Sequence, residues 1–132
     1  MLDHLFVYGT LRRGADSPMA RRLRTATRYL GAAHAQGMLY RVASYPGFVP
    51  GAGGRVAGDL LLLEEAEATL AWLDDYEECS PHFPPPHEYR RIRLIVIAPD
   101  GPVEAWAYVY DRSVAGLSPI ESGDFLAQAD RH

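Results

Sequence analysis

Short apolar runs alternate with polar and glycine-containing segments along the chain, and they predict a series of strands. Leu5–Tyr8 is apolar without interruption, which is typical of a strand buried on both faces, and Gly9 ends it. Mixed β-branched, aromatic and small residues over 26–40 predict a second strand. Arg55–Leu63 predicts a third, whose last residues, Leu60–Leu63, are expected to be covered on both faces.

Glycine and proline predict irregular backbone in three places. The segment from Ser44 to Gly54 holds two prolines and four glycines, so we expect a loop there. Four prolines within Ser80–His87 are incompatible with a helix or a central strand. The tail from Asp111 onwards is predicted to be irregular, with a short helical turn around Phe125–Ala129.

Two helices and a hairpin complete the predicted elements. Ser17 before a proline is a typical helix start, and this helix is expected to reach about Arg24. Glu64–Glu78 is rich in Ala, Leu and Glu and predicts the clearest helix of the chain. A tight turn over Pro99–Pro102 joins two predicted strands, Tyr89–Ala98 and Val103–Tyr110. This order of elements predicts an α+β fold with a largely antiparallel sheet or a small barrel.

One carboxylate of the second helix stands out from the helical pattern. Ala66, Leu70 and Leu73 define its buried stripe, and Glu77 projects from the middle of that stripe. The other acids are expected to point away from the stripe: Glu67, Asp74, Asp75 and Glu78. Burial raises the pKa of a carboxyl group, which suits Glu77 to accept and donate a proton near neutral pH.

Two structural explanations for Glu77 remain open at this point. The first is a buried ion pair, for which Arg90, Arg91 and Arg93 are the candidate partners. The second is that the helix leaves the core in its last turn, where Glu77 lies, so that its side chain reaches water.

The turn that follows the first strand is a second candidate for chemistry. Glycine permits tight turns and a close approach of a ligand to the main chain. Successive N–H groups in such a turn, from Gly9 onwards, can converge on an anion or a carbonyl oxygen. The alternative is an ordinary turn after a core strand.

Composition and charge exclude several classes of protein. A length of 132 residues predicts a single domain over 1–132, and a net charge of −4 argues against nucleic acid as a partner. Cys79 is the one cysteine, which fits a reducing compartment and a passive thiol. Neither a signal sequence nor an apolar membrane span is evident, so we expect a cytoplasmic protein. The five histidines show no metal-ligand spacing, and we expect no metal or cofactor.

Four motifs, taken together, resemble one protein family. They are Tyr8-Gly9-Thr10-Leu11-Arg12, Leu73-Asp74-x-Tyr76-Glu77, Tyr89-Arg90-Arg91 and Glu121-Ser122-Gly123-Asp124-Phe125. Their identities and order resemble the γ-glutamylcyclotransferase-like family, also called AIG2-like, over nearly the whole chain. The short length is closest to the small γ-glutamylamine cyclotransferase-like branch. The resemblance implies a small mixed, largely antiparallel β-barrel with flanking helices.

The resemblance also implies roles for particular residues. The substrate-binding loop of the family falls on Tyr8, Gly9, Thr10 and Leu11, and its acid/base glutamate falls on Glu77. The family often has glycine after that glutamate, whereas this chain has Glu78.

Two further residues are candidates for substrate contact. Arg12 is a candidate for binding a substrate carboxylate, with a solvent-facing arginine as the alternative. Tyr110 is a candidate hydroxyl donor, with a core tyrosine as the alternative.

The implied activity is cyclisation of a γ-glutamyl amine or γ-glutamyl amino acid to 5-oxoproline, with release of the free amine. The partner is then a small molecule, and neither nucleic acid nor a membrane is expected. The main alternative is a binding or regulatory protein with the same pocket and no turnover. A lyase that acts on another small amide is a narrower one. The leaving amine and the oligomeric state are left open.

Overall fold

The structure is a computed structural model that describes residues 2–126. That range contains two full helices and six strands, and the predicted α+β class is confirmed. In chain order the elements are β1 (His4–Val7), α1 (Pro18–Ala26), β2 (Thr27–Arg41), β3 (Pro46–Leu63), α2 (Ala66–Tyr76), β4 (Tyr89–Ala98), β5 (Gly101–Tyr110) and β6 (Ser118–Pro119).

All six strands belong to one sheet. Their order is β3-β1-β5-β4-β2-β6, and β2 pairs again with β3, so the pairings of five strands form a ring. Within the described residues, β1 and β5 form the one parallel pair. Two junctions of the ring rest on single residue pairs, Leu5–Trp106 and His34–Ile97. The closed barrel therefore stays a prediction.

The uninterrupted apolar character of β1 follows from burial on both of its faces. Alternate side chains of a strand point to opposite faces. Phe6 and Tyr8 belong to one buried cluster, which is built mainly from residues of the strands. Leu5 and Val7 belong to a second cluster, together with Leu73 of α2.

The predicted loop over 44–54 is wrong in part. Strand β3 begins at Pro46 and pairs with the end of β2, and Phe48 is fully buried in the core. Residues 51–54 fall at a register shift of the β2–β3 pairing and are exposed. Proline is tolerated at the first position of a strand.

Both helices are present, with shifted ends. The Oγ of Ser17 caps α1 by accepting a hydrogen bond from the Ala20 amide at 3.1 Å, as predicted for a serine N-cap. Helix α2 is two residues shorter at each end than the predicted Glu64–Glu78. Neither helix is long and apolar enough to cross a membrane, as far as residues 2–126 are concerned.

The second half of the chain follows its predictions, except that the tail predicted to be irregular contains the short strand β6, which pairs with the end of β2. Residues 80–87 form neither helix nor strand. The β4–β5 hairpin is tighter than predicted, since Ala98 pairs with Gly101 and leaves a turn of two residues. At the end of the described range, Phe125 and Leu126 are helical, and the rest of the predicted turn lies outside it.

Candidate active site

The C-terminal end of α2 places Glu77 and Glu78 through a Schellman motif. The amide of Cys79 donates to the Asp74 carbonyl at 2.9 Å, and the amide of Glu78 donates to the Asp75 carbonyl at 3.1 Å. Glu78 takes the left-handed conformation that this motif requires, with φ 58°. A glycine adopts this conformation without strain, whereas a residue with a side chain does so at a cost.

Glu77 is a half-buried carboxylate with no counter-ion in the described part of the chain. Within residues 2–126 its carboxylate makes no hydrogen bond and no ion pair. Burial, and then the negative charges of Glu88 and Glu78, raise the pKa of Glu77 from 4.5 to about 7. The side chain is therefore divided between its protonated and ionised forms near neutral pH.

The ion pair considered for Glu77 is made by another residue. Arg91 donates to both carboxylate oxygens of Asp74, at 2.9 and 3.1 Å, and the Tyr108 hydroxyl donates to the same carboxylate at 2.6 Å. Asp74 was predicted to point away from the core, but it lies half-buried between these two donors. Arg90 is also engaged elsewhere, with Asp111.

A cavity of about 390 Å³ lies beside Glu77. Its walls come from the end of β1 and the turn after it, the turn before β3, the end of α2 and the start of β4. Tyr8, Gly9, Thr10 and Leu11 line the cavity together with Glu77. Among the described residues, its charged lining consists of three carboxylates: Glu77, Glu78 and Glu88.

The turn after β1 presents unused backbone donors. The amides of Gly9, Thr10 and Leu11 make no hydrogen bond within the described part of the chain. The Gly9 carbonyl accepts from the Arg12 amide at 3.1 Å, and the Thr10 carbonyl accepts from Ser17 Oγ at 3.0 Å. Because a trans peptide holds its C=O and N–H in opposite directions, these two bonds fix where the next amides point.

Gly9 is needed for close packing rather than for an unusual φ. A Cβ at this position would lie 2.7 Å from Cγ of Pro46, which also lines the cavity. The glycines with positive φ lie elsewhere in the chain. A larger residue would force β1 and the start of β3 apart.

Tyr8 forms part of the cavity wall and is anchored in the core. Its hydroxyl donates to the Tyr108 carbonyl at 2.6 Å, and its ring meets the Phe48 ring edge-on at 5.3 Å. Burial, and then the charge of Glu77, raise the pKa of its hydroxyl, so it stays protonated. The hydroxyl proton of Tyr8 is thus committed to the fold.

Nothing in the sequence indicated that Tyr45, Glu88 and Tyr108 line the cavity. The Tyr45 hydroxyl donates to Glu88 at 2.8 Å, and burial followed by this contact raises the pKa of Tyr45 to about 12. Tyr108 links the cavity wall to Asp74. Their sequence context gave no signal, since Tyr45 lies in a glycine- and proline-rich stretch and Glu88 follows a proline run.

The structure does not bring Arg12 and Tyr110 to this cavity. Arg12 donates to Asp124 at 2.9 Å and lies 3.6 Å from Asp59, with only 12% of its side chain exposed. The Tyr110 ring packs edge-on against Tyr89 at a centroid distance of 5.6 Å.

Cys79 has the properties of a passive thiol. It is half-buried, and burial followed by the charges of Asp74 and Glu77 raises its pKa to about 11. Within residues 2–126, no group of His, Cys, Asp and Glu side chains is arranged to hold a metal ion.

The comparisons with known proteins agree with the motifs. The family profile described as "Gamma-glutamyl cyclotransferase, AIG2-like" matches residues 5–127. The gamma-glutamylcyclotransferase family protein YtfP of Escherichia coli (strain K12) is 36% identical over 123 residues, which cover 92% of this chain and 95% of YtfP.

Solved structures show the same fold. An AIG2-like protein from Mus musculus superposes with a TM-score of 0.65 at 27% identity, over 82% of this chain and 76% of its own. YkqA from Bacillus subtilis superposes with a TM-score of 0.73 at 21% identity. That match covers 99% of this chain but only 44% of YkqA, so this chain spans less than half of that relative. With its fold, its motifs and its relatives in agreement, the chain belongs to the gamma-glutamyl cyclotransferase, AIG2-like family.

Proposed function

We propose that the protein converts a γ-glutamyl amine or γ-glutamyl amino acid to 5-oxoproline and the free amine, with Glu77 as the general acid and base. The observation that carries the proposal is the environment of Glu77. Among residues 2–126 it is a carboxylate without a counter-ion, its pKa is raised to about 7, and it shares a cavity with three residues whose amides have no partner in that range.

The reaction is an internal attack and needs no nucleophile from the protein. The α-amino nitrogen of the substrate bonds to its own γ-carbonyl carbon, and the bond from that carbon to the amine nitrogen breaks. One proton leaves the attacking nitrogen and one must reach the departing nitrogen. The protonated Cys79 thiol takes no part in this scheme.

Glu77 is suited to both proton transfers. A group whose pKa lies near the working pH accepts and returns a proton with little cost in either direction, and such groups contribute roughly 10²–10⁴-fold to rate. A pKa of about 7 meets that condition. In the first transfer the ionised form takes a proton from the substrate nitrogen, and in the second Glu77 returns it to the amine.

The amides of the turn after β1 are suited to the other requirement. Negative charge grows on the γ-carbonyl oxygen as the ring closes, and fixed N–H donors stabilise such charge by roughly 10²–10³-fold per donor. Gly9, Thr10 and Leu11 supply these donors. A cavity of about 390 Å³ is also large enough to hold the glutamyl chain in the curled shape that ring closure needs.

The test is incubation of the protein with a panel of γ-glutamyl amines and γ-glutamyl amino acids, with 5-oxoproline and free amine as the readouts. At least one member is expected to yield both products in equal amounts. The matched control is the same substrate acetylated on its α-amino nitrogen, which cannot attack and is expected to yield neither. If the unblocked substrates bind without turnover, the protein is a binding or regulatory protein.

A further inference from the structure

The turn that carries the Gly9–Leu11 amides is held in place by its far end. Arg12 closes the turn through its amide and sends its side chain away from the cavity, between strand β3 and the segment after β6. There the guanidinium lies between two carboxylates, Asp59 and Asp124. The residue next to the donor amides is thus bound to two separate parts of the fold.

Asp59 fixes the turn from the side of β3. Its carboxylate is 6% exposed and lies 3.6 Å from Arg12. Its second oxygen accepts a hydrogen bond from the Arg13 amide at 2.7 Å. One buried carboxylate therefore holds both the side chain of Arg12 and the backbone of the next residue.

Asp124 fixes the turn from the C-terminal segment. Its carboxylate accepts from Arg12 at 2.9 Å, and the residues on either side of it are held against the rest of the fold. The Ala57 amide of β3 donates to the Gly123 carbonyl at 2.7 Å, and the ring of Phe125 is buried in the core. At Gly123 a Cβ would lie 1.8 Å from the Arg55 carbonyl oxygen, so the segment lies directly on β3.

We infer that Arg12 and Asp124 are positioning residues, which hold the Gly9–Leu11 amides in place without contact with the substrate. Arg12 suits this role because a guanidinium presents its donors in a fixed fork, which bridges two carboxylates better than a lysine does. The ends of this bridge are 112 positions apart in the chain. In this role Asp124 links the C-terminal motif Glu121–Phe125 to the cavity.

Asp124→Asn is the primary test because it removes the charge of Asp124 and keeps its shape. The readouts are amide hydrogen exchange at Arg12 and Arg13, and kcat and KM separately. We expect exchange at these two amides to rise about tenfold or more, with the β1 amides unchanged. We expect kcat to fall by about 10- to 100-fold with KM within about threefold, since misplaced donors act mainly on the transition state.

Two further variants complete the test. Arg12→Lys keeps the charge but loses the fork, and we expect a smaller change of the same kind. The matched control is Asp111→Asn, which removes an exposed ion pair of similar length with Arg90 and is expected to change neither readout. If Asp124→Asn leaves exchange at Arg12 and Arg13 unchanged, or raises it equally in β1, the inference is overturned. A rise in KM alone on Arg12→Lys would make Arg12 a substrate contact and overturn it too.

The kinetic part of this test rests on the proposed function, whereas the exchange part does not. If the unaltered protein turns over no γ-glutamyl compound, the proposed function fails while exchange still decides whether Asp124 holds the turn.

Discussion

The last turn of α2 carries two carboxylates in opposite environments. Asp74 accepts three hydrogen bonds, two from Arg91 and one from Tyr108. Glu77, three positions later, has no partner within the described residues and faces the charges of Glu88 and Glu78. Arg91, which the sequence offered as a partner for Glu77, is bound to Asp74 instead. The causes that raise the pKa of Glu77 are its burial and the charges of Glu88 and Glu78.

The largest difference between Glu77 and the other carboxylates of this region is expected in activity. Glu77→Gln removes the group that transfers protons, so we expect kcat/KM on the best γ-glutamyl substrate to fall by roughly 10²–10⁴-fold. Steady-state kinetics at pH 7 measure it. Asp75→Asn, an exposed carboxylate on the same helix, is the control and is expected to retain full activity. Full activity of Glu77→Gln would remove Glu77 from the mechanism.

The second difference is in stability. Asp74→Asn leaves Arg91 half-buried without its partner, so we expect a loss of about 2 kcal/mol in the free energy of unfolding. Urea denaturation at pH 7 measures it. Asp111→Asn removes the exposed pair with Arg90 and is expected to cost less than about 0.5 kcal/mol. Equal losses in the two variants would mean that the Asp74 pair contributes no more than a surface pair.

Removing the charge of Glu77 is expected to stabilise the protein, whereas removing the charge of Asp74 destabilises it. Its pKa is raised from 4.5 to about 7, so the folded state binds this proton more tightly than the unfolded state does. The native protein therefore loses stability as the pH rises from about 4.5 through about 7, and Glu77→Gln does not. After a discount for the partial exposure of Glu77, the free energy of unfolding of Glu77→Gln should exceed that of the native protein by about 1–2 kcal/mol at pH 8. At pH 4 the two should be equally stable. Denaturation over this pH range measures it, and a constant difference would contradict the raised pKa.

A smaller gain in stability is expected from a change at Glu78, the residue with left-handed backbone conformation beside Glu77. Glu78 has φ 58°, so Glu78→Gly should relieve local strain and raise the free energy of unfolding by about 0.5–1 kcal/mol. Thermal denaturation measures it. Glu78→Gln keeps a side chain at this φ and separates the effect of the backbone from that of the charge. If both variants gain equally, the charge of Glu78 and not its conformation is responsible.

The smallest expected effect is electrostatic. Glu88 is the charge that contributes most to the raised pKa of Glu77, so Glu88→Gln should lower that pKa by a fraction of a unit from about 7. The acidic limb of the kcat/KM profile should move to lower pH by the same amount. Glu67→Gln, at the opposite end of α2, is the control. An unchanged limb would show that the charge of Glu88 does not contribute to the pKa of Glu77.

Local pattern predicted much of the fold and one half of the site. The period of α2 separated Glu77 from the exposed acids of the helix but not from the half-buried Asp74, because helical spacing fixes which side chains share a face and not what packs against them. The serine N-cap and the β4–β5 hairpin were likewise predictable from short sequences with a definite backbone preference.

The features that depend on distant residues were not predictable in this way. Pro46 and Gly47 indicate a loop, yet their pairing with the end of β2 makes this segment a strand. Asp74 could be assigned to Arg91 only once β4 lay against α2. The ion pair between Arg12 and Asp124 could not be predicted, because the sequence around each residue carries no information about a partner 112 positions away.

The ring of strand pairings has a consequence for how the protein is made. Strands β2 and β3 are joined by a short turn, and such sequence-local pairs form early in folding. The cavity, by contrast, needs the Tyr8 hydroxyl to reach the Tyr108 carbonyl, and the two residues are 100 positions apart. During synthesis on the ribosome, the long hairpin can therefore form while the site is still absent. The cavity is completed only after β5 has emerged and docked against β1.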